Sequence, residues 1–290
     1  MANPIGSSLQ LLTGRLRHSG VELHIILHWS LRIGCAMCWI GHGVWGVITK
    51  AGWLPFFAVF GIPEETAYKL MPLVGTVDIT LGMLMLFHPT RANLTWMVVW
   101  TTFTALLRPI VGMGWWEFLE RGGNYGPPLA FLFLAFATGQ KAWFQRLAPR
   151  AIDPRDLAPA LWTLRIAIAL LLIGHGGFGA FQVKQTLVGH WSALGIPADE
   201  DLIRLIGWAE IIAGFAVMLR QSIPLLMVLF YWKVATELLH PIAGRFVDIW
   251  EWVERGGDFG APIALATIYL MVRSLERTEG ALSKQEHAVV

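Results

Sequence analysis

Charge is what this chain has least of. Only 14% of its 290 residues are Asp, Glu, Lys or Arg, against about 25% in soluble domains, so most of its surface is not built for water. Cysteine is nearly absent too: Cys35 and Cys38 are the only two, too few for a disulfide scaffold and no guide to a redox compartment. Their C-x-x-C spacing falls inside an apolar run, where they read as small buried core residues. A dithiol or metal role is the alternative. The net charge of +2 leaves no large basic excess, and no nucleic-acid partner is expected. Segments of about ten residues with alternating polarity are missing as well, which argues against a membrane barrel.

What is present is 55% apolar residues, 15 tryptophans and several continuous apolar runs of the ~20 residues that a spanning helix needs. They predict an all-α integral membrane protein whose first partner is the lipid bilayer. Eight transmembrane helices are expected, at about 24–49, 68–88, 93–113, 125–145, 160–183, 202–219, 222–243 and 259–274. Residues 1–23 are polar, with Arg15 and Arg17 leading into a first span that is expected to act as its own insertion signal. With eight spans, Arg15, Arg17, Arg91, Lys141, Arg146, Arg150, Arg155, Arg220, Arg273, Arg277 and Lys284 fall on one side. Lys50, Lys69, Arg121, Lys184, Arg204, Arg245 and Arg255 fall on the other. The positive-inside rule then puts both termini and the central linker in the cytoplasm, with a bacterial inner membrane as the expected location.

One unit is written twice. Residues 31–46 (LRIGCAMCWIGHGVWG) and 164–179 (LRIAIALLLIGHGGFG) share nine identities in sixteen. Further landmarks follow in the same order: Gly61-Ile62-Pro63 and Gly195-Ile196-Pro197; a carboxylate inside a span, Asp78 and Glu210; Leu107-Arg108-Pro109-Ile110 and Leu239-His240-Pro241-Ile242. Last come WWEFLERGGNYGPP (115–128) and IWEWVERGGDFGAP (249–262), with eight identities in fourteen. The expected organisation is a cytoplasmic segment 1–23, a four-helix repeat 24–146, a linker 147–159, a second repeat 160–275 and a tail 276–290. An even number of spans per copy makes the repeats parallel. Two similar four-helix bundles should lie side by side, related by a pseudo-twofold axis along the membrane normal.

Depth along the spans locates the chemistry. At 1.5 Å per residue, His42 lies about 10 Å in from the outer end, Asp78 about 15 Å and Arg108 about 8 Å. The Glu117-x-x-Glu120-Arg121 segment sits at the outer surface, and the second copy places His175, Glu210, His240, Glu251, Glu254 and Arg255 equivalently. Each bundle is therefore expected to gather its own histidine, carboxylate, second basic group and Glu-x-x-Glu-Arg cluster. Ionisable groups inside a span cost about 2.5–3.5 kcal/mol each and persist when paired or functional. Structural pairing of Asp78 with His42 or Arg108 competes with a binding or reaction site.

The Glu-x-x-Glu pairs have three readings: a solvated amphipathic helix, anion or headgroup contact through Arg121 and Arg255, and carboxylate metal ligands. No histidine stands at the Glu-x-x-His spacing of bundle di-iron sites. Haem held by His42 and His175 across the bundles is a further candidate, and these two are the candidate metal ligands. His28, with Leu161 in the other copy, is a weaker one. Lys233 and Glu237, an i,i+4 pair, occur only in the second copy, where the first has Thr101 and Ala105.

Taken together, Leu31-Arg32-Ile33, the Gly41–Gly46 helix end, Gly61-Ile62-Pro63 and Asp78 to Gly82 resemble the DoxX family of four-span membrane proteins. Leu164-Arg165-Ile166, Gly174–Gly179, Gly195-Ile196-Pro197 and Glu210 to Gly214 repeat the likeness, which covers about 30–275 in tandem. The family includes the membrane subunit of thiosulfate:quinone oxidoreductase, so the resemblance implies a quinone-linked redox role. On that reading a small reductant, a sulfur compound among the candidates, delivers electrons at the outer face to quinone. A redox partner protein or a homo-oligomer would complete the assembly. His42 and His175 would handle the quinone proton or ligate a cofactor, and Asp78 and Glu210 would orient them. Arg108, His240, Arg121, Arg255 and the four glutamates would meet the substrate. A non-enzymatic scaffold, or a protein that binds or passes a small solute or lipid, is the other reading.

Overall fold

The computed structural model describes residues 4–139 and 142–287, with side chains described for 23–139 and 142–277. The side chains of Arg15, Arg17 and Lys284, used above for orientation, lie outside the described residues, as do Lys141 and residues 288–290 of the expected tail. Most of the described residues are helical, and among them there is no strand. The first half contains α1 (Pro4–Val47), the short α2 (Leu54–Ala58), α3 (Glu64–Phe87), α4 (Arg91–Ile110), α5 (Trp115–Glu120) and α6 (Gly122–Ala137). The second contains α7 (Ala158–Gly177), α8 (Gln185–Ser192), α9 (Glu200–Leu219), α10 (Ile223–Glu237), α11 (Leu239–Ala243), α12 (Ile249–Glu254) and α13 (Gly256–His287).

Among the described residues, six segments are long and apolar enough to cross a membrane: Leu23–Val47, Glu64–Phe87, Pro154–Gln182, Glu200–Leu219, Ile223–Ala243 and Phe246–Arg277. The helices expected at 93–113 and 125–145 are not among them. α6 has only 16 residues and stops at Ala137, well short of 145. α4 carries Asn93 and four threonines, of which Thr95, Thr101 and Thr104 return their hydroxyls to the helix's own carbonyls, a common way to hide a hydroxyl in an apolar setting. The ends differ from expectation too: α1 is helical from Pro4, and α13 continues past 275 to His287.

The helices do not form two self-contained bundles. The central core is built from α1, α6, α7 and α13 together, through Leu31, Cys35, Trp39, Phe131, Leu164, Ile168, Leu265 and Tyr269. α1 packs on α13 and α6 packs on α7, so the first helix of each half meets the last helix of the other. α3 lies outside α1, α9 outside α7, α4 outside α6 and α10 outside α13. Burial follows this division. The spans containing α1, α7 and α13 have 50%, 61% and 67% of their apolar window inside the molecule, against 28%, 33% and 28% for α3, α9 and α10. The flanking helices turn Leu73, Val77, Val99, Leu205, Ile212, Phe215 and Val228 outward, the apolar surface that lipid requires.

Two repeated devices set these positions. Arg32 donates to the carbonyls of Met85 and Leu86 at the end of α3, and Arg165 to those of Val217 and Met218 at the end of α9. Each guanidinium thus caps carbonyls that a helix end leaves without partners, which accounts for arginine inside the Leu-Arg-Ile motif. The second device is the glycine pair around each histidine. A Cβ on Gly43 would lie 2.6 Å from the Gly75 carbonyl oxygen of α3, and one on Gly41 2.7 Å from the Glu254 Cα of α12. Gly176 and Gly174 repeat this, at 2.5 Å from the Gly207 carbonyl oxygen and 2.7 Å from the Glu120 Cα. Gly-His-Gly is a junction: one glycine admits the helix of its own half, the other admits the Glu-x-x-Glu helix of the opposite half, and the histidine between them faces the acid.

After Gly179 the second copy runs one residue longer. The offset between landmarks changes from 133 at His42/His175 to 134 at Gly61/Gly195. A π-helical turn at Phe178–Gln182 lies in this interval; such turns take up a single extra residue in an α-helix. Lys184 is thereby brought to the place that Lys50 has in the first copy.

Candidate functional site

Each histidine meets a buried acid. His42 Nδ1 is 2.8 Å from Asp78 Oδ2, and His175 Nδ1 is 2.6 Å from Glu210 Oε2. Asp78 and Glu210 are only 2% and 4% exposed. The bond from Nδ1 fixes each ring and leaves Nε2 free to act. Beyond this shared pair the two copies diverge. The His42 ring stacks on Trp53, with centroids 4.6 Å apart and planes 27° apart. Glu210 instead receives a second bond, from Trp232 Nε1 at 2.8 Å.

Each pair lines its own cavity, and the cavities have no lining residue in common. The first, of about 190 Å³, is walled by aromatics from the connection that holds α2 and from α4: Trp53, Phe56, Phe57, Phe60, Trp100 and Phe103. Cys38, His42, Asp78, Arg108, Arg121 and Glu254 supply its polar groups. The second, of about 100 Å³, is more polar: His175, Lys184, His190, Glu210, Glu237, His240 and Arg255 line it with Trp191 and Trp232. At roughly 10–15 Å³ of such space per water, the first has room for about 13–19 heavy atoms and the second for about 7–10. His42 and His175 stand in the walls of different cavities.

The Glu-x-x-Glu helices are not solvated faces. Glu120 and Glu254 are each 4% exposed, and α5 and α12 are held inward by charge. Lys50 of the first half pairs with Glu251 of the second, and Lys184 of the second half with Glu117 of the first. Arg108 also reaches Glu117, at 3.2 Å. At the centre, Arg255 lies 3.3 Å from both Glu120 and Glu237 and 3.9 Å from Glu251 and Glu254, while Arg121 sits 3.2 Å from Glu120. Burial would raise the Glu120 carboxyl, but Arg121 and Arg255 overcome it and hold the group at about 2. Glu117 is likewise lowered by Arg121 and Lys184 against the pull of burial. His240 Nε2 is 3.4 Å from Glu237 Oε2, and its ring meets His190 edge-on at 4.5 Å. Burial, then the neighbouring His240, pushes His190 down to about 4.

The expectation that each bundle gathers its own Glu-x-x-Glu-Arg cluster is corrected by this arrangement. Arg121 of the first half and Glu254 of the second both line the first cavity, whereas Arg255 and Glu237 line the second. The reason is steric: Gly41 and Gly174 open α1 and α7 to the opposite half. Among the described residues no three His, Cys, Asp or Glu side chains converge as metal ligands, because each carboxylate of the pairs faces a cation. Cys35 and Cys38 are both buried, and His28 packs against Phe131 and Arg32, away from either histidine–acid pair.

Lys50, Lys184, Trp53, His190, Trp232 and Asp258 do not stand out as site residues in the sequence. Lys50 and Lys184 carry a signal there, each closing the segment that follows Gly-His-Gly. Asp258 carries one too, as the charged member of an Asn124/Asp258 exchange.

Fold and site together define a multi-pass α-helical membrane protein with two chemically distinct cavities. No family model, curated protein or solved structure matches the chain.

Proposed function

We propose that this chain is a tandem DoxX-type redox subunit of a bacterial inner membrane, and that the ring of a quinone occupies the first cavity beside His42. In this reading α4 and α6 also cross the bilayer, giving eight spans. The termini are cytoplasmic, and the halves are related by a pseudo-twofold axis along the membrane normal. The matched order of helices and the cation bias between the two sides support it.

The observation that carries the reading is the His42–Asp78 pair in the wall of an aromatic cavity open to a flat ring. Trp53 stacks on the imidazole and Trp100 and Phe103 add aromatic wall, a lining suited to a planar amphiphile with few polar anchors. Quinone, when bound, supplies a two-electron acceptor whose reduction takes up two protons. Asp78 accepts from His42 Nδ1 and holds the ring in place, so that Nε2 is the nitrogen that delivers a proton into the cavity. Arg108 and Arg121 give the same wall a positive edge for a carbonyl oxygen. The electrons come from a small sulfur-containing reductant at the outer face, which leaves oxidised by two electrons. A redox partner chain or a second copy completes the path.

Solvent extraction, an absorption spectrum and elemental analysis of the purified protein test this, together with electron transfer to a soluble quinone analogue. The expected result is bound or exchangeable quinone and a transfer rate reduced about 10²-fold or more in His42→Gln and Asp78→Asn, the scale of a lost general acid. A protein with no quinone, haem or metal, no transfer activity, and His42→Ala and His175→Ala variants that lose only folding yield is a scaffold or solute-binding protein instead.

A further inference from the structure

We propose that Asp258 is a proton-binding site buried between the two halves, a carboxyl group that holds a proton at rest and exchanges it through Lys233 and Glu237 with the second cavity. Asp258 is 1% exposed, and neither of its oxygens has a hydrogen-bond partner among the described residues. A Cβ placed on Gly123 would fall onto its Oδ1, so the carboxyl lies directly on the line where α6 crosses α13. An ionised carboxylate in such a place, with no donor to it, is among the most expensive groups a protein can bury, and the ordinary outcome is that it takes up a proton.

The charges around it point the same way. Three buried cations share this region, Lys233 from α10, Arg121 beside α5 and Arg255 beside α12. Four carboxylates already face them: Glu237 with Lys233 at 2.5 Å and with Arg255, Glu120 with both arginines, and Glu251 and Glu254 with Arg255. Asp258 is the fifth carboxyl for three cations. From α1 the titratable groups that act on this region are Cys38 and His42, and from α7 it is His175. At the cavity rims Arg108 and Lys184 both face Glu117, and Lys50 faces Glu251.

Comparison of the halves supplies an independent argument. Where the second copy has Lys233, Glu237 and Asp258, the first has Thr101, Ala105 and Asn124. The same helix crossing is therefore built with a neutral amide in one half, and packing alone does not call for an acid in the other. The three charges occur as a set, and one of them, Glu237, lines the second cavity beside His240. That gives Asp258 a chain of ionisable groups to an accessible surface.

The test is infrared spectroscopy of the full-length protein in lipid, reading the carbonyl stretch of protonated carboxyl groups, with Asp258→Asn and Asp258→Glu. Asn is the residue that the first half carries at this crossing. A wild-type band that disappears in Asp258→Asn and shifts in Asp258→Glu is expected. A folded Asp258→Asn protein that keeps the band unchanged overturns the proposal. If neither variant folds, wild-type protein carrying carboxyl-¹³C aspartate decides: a protonated-carboxyl band that moves with the label supports the site, and no labelled band overturns it. Loss of quinone binding in the first cavity would leave this band in place, so failure of the functional reading above and failure of this one are told apart.

Discussion

Replacing Gly41 or Gly174 by alanine should separate the two halves where they cross. A Cβ there meets the Cα of Glu254 or Glu120 at 2.7 Å, with the amide nitrogens closer still. The amide nitrogens lie at 2.3 and 2.1 Å and ordinary contact begins at 3.4 Å, so the helices must part by at least 1.1 Å (3.4 − 2.3). Both obstacles are backbone and cannot swing aside. Overpacking of this kind costs about 1–3 kcal/mol, partly offset by the ~1 kcal/mol that alanine gains over glycine inside a helix. Gly189, within α8, has nothing within 4 Å of an added methyl, so Gly189→Ala should keep that gain undiminished. The junction variants should therefore fall on the order of 2 kcal/mol below the Gly189 control, the middle of the overpacking range. Thermal unfolding in detergent, followed by size-exclusion recovery, measures this. Melting temperatures for Gly41→Ala and Gly174→Ala equal to that of Gly189→Ala would refute the crossed packing.

The charge network yields other expectations. Arg255→Met leaves Glu120 and Glu237 buried with a cation removed; breaking such a pair from one side costs about 3–5 kcal/mol, so folded yield should collapse, with Glu237→Gln in the same chain restoring part of it. Stability should also fall in mild acid. The His190 imidazole titrates at about 4 in the folded chain against 6.5 unfolded, so the unfolded state binds more protons between those values, and stability drops as pH goes from about 6.5 toward 4. His190→Gln should flatten that part of the pH–melting curve, and an unchanged slope would show that His190 does not contribute. The carboxylates act lower: with Glu120 held at about 2, its share is present above the ordinary carboxylate value of 4.5 and is lost only as pH falls toward 2.

Much of this structure could be read in the sequence because the chain repeats itself. His42/His175 and Asp78/Glu210 stood out as the ionisable groups that both copies keep inside apolar runs, and a carboxylate at that depth needs a partner. The helical class followed from run length alone. The crossing between halves could not be read, because helical periodicity tells which face of α1 is small and apolar but not which helix will cover it. The glycines of Gly-His-Gly were visible; their separate duties depend on the three-dimensional route of α5 and α12. The aromatic wall around α2 was hidden for a different reason. Trp53, Phe56 and Phe57 lie in a short connection whose apolar residues resemble interface anchors. Burial of Glu120 and Glu254 was missed because two glutamates one turn apart ordinarily mark a wet face, and only their pairing with cations of both halves makes them inner groups.

The contact of Gly41 with Glu254 also bears on how the chain is made. α1 leaves the ribosome long before α12, the helix that covers its Gly41 face. During synthesis that face must be covered by lipid, by the insertion machinery or by a temporary neighbour within the first half. A nascent chain truncated before α12 should therefore be handled as an orphan, trimmed by quality-control proteases although its early helices are already inserted.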